Sequence, residues 1–309
     1  MLNPILASSA RRRMRTMRTP LIITLYALLP LAFAVSSVLT MSQSGLSITA
    51  MRQNVDQYIM LTVLQFFLVV LVAPAMTAGS ISGERERQTL ELLLVTNTGS
   101  MRIVMGKLLE AYAFLALVVL SGLPMTCTVL AVGGLSLHLA LFSFLFLLVC
   151  AFAAACVGLF ASSLFKKTVA ATVTAYLIIF AIGVGTLLPL FMGVSRTLRE
   201  LVDNNPNVSA TLANMSMKDI AALMPPILYV NPGLGLFTLL MDQTGLLNNT
   251  FYSLGNSYYY SDILNALSFR TFTYINMGVM LALSAVLIVL SALAVRPRKN
   301  PIRRKRKKQ

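Results

Sequence analysis

Glu84, Arg85, Glu86, Arg87 and Glu91 place five charges within eight positions, with Thr89, Leu90, Leu92 and Leu93 set among and after them. Acids and guanidinium groups this dense do recognition chemistry. The alternative is an ordinary charged loop that keeps its end of the protein cytosolic. No nucleophile, base and orienting acid can be assembled from the rest of the chain. His138 is the only histidine and stands at the end of an apolar run, where an interfacial polar side chain is the ordinary reading. Cys127, Cys150 and Cys156 all lie inside apolar runs, so they suggest neither a disulfide framework nor a zinc site and read as small packing residues. The stretch from Gly99 to Lys107 looks like a phosphate loop at first. Six residues separate Gly99 from Gly106 where such a loop needs four, and Leu108 stands where it needs Ser or Thr. No catalytic, cofactor-binding or metal-ligating residue is therefore expected in this chain.

The charged segment must be held outside lipid, because ionised side chains are costly in hydrocarbon. Glu, Arg, Gln and Leu favour helix, and acids suit the first turn, so residues 84–95 are expected to form one helix. Asn97, Thr98 and Gly99 break it, and Ser100 is placed to cap a second helix that runs on into an apolar span. The 309 residues are 57% hydrophobic and 11% charged, with a mean hydropathy of +0.78, which is the composition of a polytopic membrane protein. Its net charge of +15 is spread between and beyond apolar runs, not along one folded face, and so argues against nucleic acid as a partner.

Six spans are expected, at about residues 20–40, 58–81, 108–132, 137–164, 168–193 and 272–295, each near or above the roughly 20 residues a crossing needs. Residues 1–19 place Leu6, Ala10, Met14 and Met17 on one stripe among five arginines, the pattern of an amphipathic helix lying in the interface; a plain basic flank that sets orientation is the alternative. Pro74 is expected to kink the second span. Ala153, Ala154, Ala155 and Gly158 would let the fourth pack closely on a neighbour. Residues 220–241 are apolar enough for a span but contain Pro225, Pro226 and Pro232. They are read as a re-entrant or surface-lying piece of an outer loop, 194–271. With this topology twenty basic residues fall on one side and five on the other, which puts both termini in the cytosol, including the basic tail at 297–309. That tail can anchor the chain or bind anionic lipid head groups. No Asp or Glu lies mid-span, Glu110 being near a boundary, so no carboxylate relay is available to power transport.

The run Glu84-Arg85-Glu86, then Thr89-Leu90-Glu91-Leu92-Leu93, then Ile103-Val104-Met105-Gly106-Lys107 resembles the cytoplasmic loop of the type-2 family of ATP-binding-cassette (ABC) exporter permeases. The resemblance extends to the layout of the whole chain, and its specific part is residues 82–107. Gln88 and the Asn97-Thr98 pair depart from it, standing where many members carry a Gly and a Pro. Asn231-Pro232 followed by Gly and Leu is similar to a recurrent feature before the family's last span. The resemblance implies an all-α polytopic membrane protein: six transmembrane helices, an N-terminal amphipathic interfacial helix and a cytoplasmic coupling-helix elbow. It implies that Glu84, Arg85, Glu86, Arg87, Thr89, Leu90, Glu91, Leu92 and Leu93 dock on a separate ABC ATPase subunit, with Gly106 and Lys107 completing the loop match. ATP and Mg would be bound by that subunit, and a second permease copy or a related permease would complete the assembly in the plasma (inner) membrane. A membrane protein that recruits cytosolic partners without transport, and a secondary carrier, are the other classes the residues allow.

Overall fold

The computed structural model describes residues 24, 28, 30–39, 48–89, 99–132, 137–189, 192, 226–244 and 269–296. All regular elements among them are helical. In chain order they are α1 (Pro30–Leu39), α2 (Ile48–Thr77), α3 (Ser82–Glu86), α4 (Ser100–Leu120), α5 (Leu123–Val132), α6 (Leu137–Leu164), α7 (Thr168–Phe180), α8 (Pro232–Thr244) and α9 (Phe269–Val295). A π-helical turn, Ala181–Gly185, continues α7, and a short 3-10 helix, Pro226–Val230, precedes α8. Among the described residues, five stretches are long and apolar enough to cross a membrane: Gln53–Glu86, Ser100–Leu120, Leu137–Leu164, Thr168–Pro189 and Thr271–Val295. The expected first span is described mainly at Pro30–Leu39. The amphipathic segment 1–19, the basic tail and most of the outer loop lie outside the described residues.

The centre of the bundle is α6. It packs against α2, α4, α7, α8 and α9 and buries sixteen of its 28 residues. Small side chains make that possible, since Cys150, Ala151, Ala155, Cys156 and Ala161 are all at most 2% exposed and let neighbouring backbones approach. The closest approach is at Gly158, where an added Cβ would lie 3.0 Å from Pro74 Cα and would collide with Thr77 Oγ1. Pro74 lies inside α2 and leaves the carbonyl one turn before it without its usual donor. The neighbouring carbonyl of Leu71 takes a hydrogen bond from the Tyr176 hydroxyl of α7 at 2.7 Å. Three helices therefore meet around one proline.

One expected span and the re-entrant or surface-lying piece take a more detailed form. The third span begins at Ser100 and is split into α4 and α5 by a turn at Ser121-Gly122. Pro124 cannot donate to the carbonyl four residues back, and Gly122 is packed so closely by Gln65 that a Cβ would lie 2.8 Å from the Gln65 Cδ. The proline-rich segment is broken at Asn231, between the 3-10 helix and α8. Leu228, Asn231, Leu236, Leu239 and Leu240 are all buried, so the segment is set into the bundle against α6 and α9 and does not lie on its surface.

Gly158→Ala is expected to lower thermal stability in detergent, at a cost of roughly 1–3 kcal/mol for overpacking a close helix contact. Gly278→Ala is the matched comparison: an added Cβ there would meet nothing within 4 Å, so it should be neutral or slightly stabilising.

Candidate functional site

The charged segment forms an elbow that is fastened to the α6–α7 turn. Ile81 and Ser82 open α3 without a local side-chain cap, and both amides donate to Ser162 Oγ of α6 at 2.9 Å. Ser82 is itself buried and returns its hydroxyl to Ala78 O at 2.8 Å. Arg85 Nη1 donates to Phe165 O at 3.3 Å, a guanidinium placed at the carboxyl end of α6, where the helix dipole favours positive charge. Glu86 Oε2 accepts from the Thr168 amide at 3.2 Å and from Thr168 Oγ1 at 2.9 Å, so an acid sits at the amino end of α7. Those two bonds, first from the backbone and then from the side chain, hold the Glu86 carboxyl below its usual pKa and keep it ionised at neutral pH. Lys107 Nζ of α4 lies 2.6 Å from Glu84 Oε1, with both side chains about four-fifths buried. The other Glu84 oxygen is buried and finds no donor among the described residues. Gly106 is buried in α4 beside this pair in sequence.

These contacts revise the expectation of a single helix over residues 84–95. α3 stops at Glu86, because Gln88 adopts φ 58°, the left-handed region that ends helices. The Gln88 amide donates to Arg85 O at 3.2 Å and the Thr89 amide to Glu84 O at 2.9 Å, the paired bonds of a Schellman cap. Thr89 Oγ1 adds a third bond to Glu84 O at 3.1 Å. Glycine suits that left-handed position best, and Gln88 stands where the sequence resemblance places one. Ser100 is not the cap of the next helix either: Gly99 occupies that position without a side-chain bond, and its carbonyl takes the amides of Arg102 and Ile103. Arg87, Gln88 and Thr89 are exposed. Leu90, Glu91, Leu92 and Leu93 lie outside the described residues.

A second constellation closes the opposite end of α7. Asn231 Nδ2 donates to Gly183 O at 2.9 Å and Thr186 Oγ1 at 2.8 Å, on the π turn. Its Oδ1 accepts the amides of Gly233 at 2.8 Å and Leu234 at 3.3 Å and so caps α8, whose first residue is Pro232. Asn276 of α9 then donates to Tyr229 O at 2.7 Å and Asn231 O at 3.0 Å. The sequence singled out Asn231-Pro232, but not its partners. Ser162, Thr168, Gly183, Thr186 and Asn276 are ordinary small or amide residues in apolar runs, and no spacing ties them to positions some 45 to 82 residues away.

The charged elbow is thus pinned to the ends of apolar helices. The family model described as ABC-2 family transporter protein matches residues 4–298. The chain belongs to the ABC-2 transporter family. No curated protein matches it. The ABC-2 chain is thus a membrane permease component of an ABC transporter, of a kind generally not itself the ATPase, and membership implies an ABC ATPase subunit as partner. It is a multi-pass membrane protein with an all-helical fold.

Ser162→Ala should leave the buried Ile81 and Ser82 amides without an acceptor, at roughly 1–3 kcal/mol, and lower the melting temperature of the purified ABC-2 chain. Gln88→Gly should act in the opposite direction, by up to about 1 kcal/mol, because it removes the left-handed penalty of a side chain.

Proposed function

We propose that this chain is the permease of an ABC exporter, driven by a separate ATPase subunit that docks on the elbow. The observation that carries the reading is the fastening of residues 81–86 to the α6–α7 turn through Ser162, Phe165 and Thr168. A loop that only keeps charge out of lipid needs no such attachment. A part that receives a push does, since a slack segment would absorb the motion. Two permease copies, or one with a related permease, would pair with two ATPases carrying ATP and Mg, in a plasma (inner) membrane with both permease termini in the cytosol. Closure of the ATPases would displace the elbows and switch the spans between inward and outward openings. The basic tail would add contacts to anionic lipid head groups. A membrane protein that recruits partners without transport would use the same elbow, but would have no use for an ATP-dependent change in its spans.

On this reading the elbow leucines fill an apolar cleft of the ATPase, and the charges that remain exposed line its rim. A buried apolar anchor contributes ~2 kcal/mol or more, about 30-fold in affinity, whereas a rim charge contributes at most ~1 kcal/mol. Leu90→Asp and Leu93→Asp should therefore release the ATPase on co-purification and remove its stimulation in vesicles, while Arg87→Ala weakens retention by no more than about fivefold. A Leu90→Asp chain that retains its ATPase and transports normally would make the elbow an ordinary loop. For topology, a tag after Gln309 should be reachable only from the cytosol and a cysteine at Asn207 only from outside. Labelling of intact cells in the reverse pattern would invert the assignment.

A further inference from the structure

The span α7 is held differently from its neighbours. Only Ala171 and Ala175 of its thirteen residues are buried, while Val169, Val173, Leu177 and Phe180 are 54–73% exposed. The core helix α6, by contrast, buries sixteen side chains. Besides a small alanine contact, Ala171 and Ala175 against Ala78 and Ala161, α7 is held by polar grips at three heights. Glu86 holds its first residue, Thr168; Tyr176 reaches Leu71 O from its middle; and Asn231 holds Gly183 O and Thr186 on the π turn at its far end. With so few side chains buried, α7 can shift at lower cost than the core helix α6. The π turn also supplies the carbonyl that Asn231 uses, and such turns are frequent at functional sites.

We infer that α7 is the lever of this permease: displacement of the elbow enters at Glu86–Thr168 and leaves at Gly183–Asn231, moving the segment 226–244. Thr168 and Gly183 lie about 22 Å apart along the helix, a length that carries a displacement from one gripped end to the other about the Tyr176 contact. There is also room for the movement. An apolar cavity of about 50 Å³ lies where α7 faces that segment, walled by Ile179 and Ile182 on one side, Val230 and Pro232 on another, and Met280 and Leu287 of α9. A packed interface would resist the shift; an empty one lets Ile182 and Pro232 exchange neighbours. Glu86, Thr168, Gly183 and Asn231 are positioning elements in this device. The remaining routes from the elbow, through α2, α4 and Ser162 of α6, run into the tightly packed core.

The lever is testable on the full chain alone in vesicles, through the rate at which a membrane-impermeant maleimide labels Ile227→Cys, an exposed position just before Asn231. Glu86→Ala, at the opposite end of α7, is expected to change that rate at least twofold. The same substitution in an Asn231→Ser background, where a capping oxygen remains but the reach to Gly183 is lost, is expected to change it by less than 1.3-fold. Thr168→Val, which keeps the backbone amide and sits outside the elbow, should give an intermediate shift. A labelling rate indifferent to Glu86→Ala, or equally sensitive to it with and without Asn231, overturns the lever. This inference rests on the ATPase reading only for what moves the elbow. With the ATPase bound, ATP and vanadate should shift the Ile227→Cys rate too; a chain that passes the first test and fails this one would sink the ATPase reading and leave the lever standing.

Discussion

A backbone amide or carbonyl that leaves a helix inside an apolar bundle must find another partner, because each unpaired group costs several kcal/mol where water is absent. Three departures from regular helix among the described residues are closed that way, each by a polar side chain from a different element. Ser162 takes the two free amides at the start of α3, Asn231 takes the π-turn carbonyl of Gly183, and Asn276 takes those of Tyr229 and Asn231. The apolar core gives the bundle its mass. These few bonds decide which helix end meets which loop.

The same constraint explains how the elbow's charges are spent. Glu84, Arg85 and Glu86 are a poor match for a bilayer surface and a good one for helix ends, where a guanidinium meets free carbonyls and a carboxylate meets free amides. Arg85 and Glu86 satisfy the two helix ends on either side of Lys166-Lys167, and Glu84 ties in the base of α4. Once they are so engaged, the exposed charge of the elbow and turn is weighted towards Arg87, Lys166 and Lys167. Such a surface prefers an acidic neighbour.

The spans and the all-helical class were legible because hydropathy over some twenty residues is a large, additive signal, as in the 28-residue α6. The family was legible too, from a short run of charges and leucines whose order is unusual between two spans. Local geometry was less so. Propensity favours helix through Gln88, yet the chain turns there, since the Schellman bonds to Arg85 and Glu84 outweigh a preference of a few tenths of a kcal/mol per residue. The break at Ser121-Gly122 carried a signal in Pro124 that hydropathy masked. Ser162 and Asn276 carried none: a serine or asparagine in an apolar run shows that a partner exists and not which one.

Asn276 shows how these constraints set one another. Its Nδ2 gives both hydrogens to carbonyls, at Tyr229 and Asn231, while its Oδ1 is buried with no donor among the described residues. Turning the amide over would set an oxygen against two carbonyls and lose both bonds, so one orphaned acceptor is the lesser cost. Gly235 permits this arrangement, since an added Cβ would lie 2.8 Å from Asn276 Cγ and 2.9 Å from Phe146 Cζ. Gly235, in the first turn of α8, therefore serves packing. It lets α8 settle against α9 and α6 closely enough for Asn276 to reach two carbonyls of the broken segment, and that reach is what allows the break to exist inside the bundle.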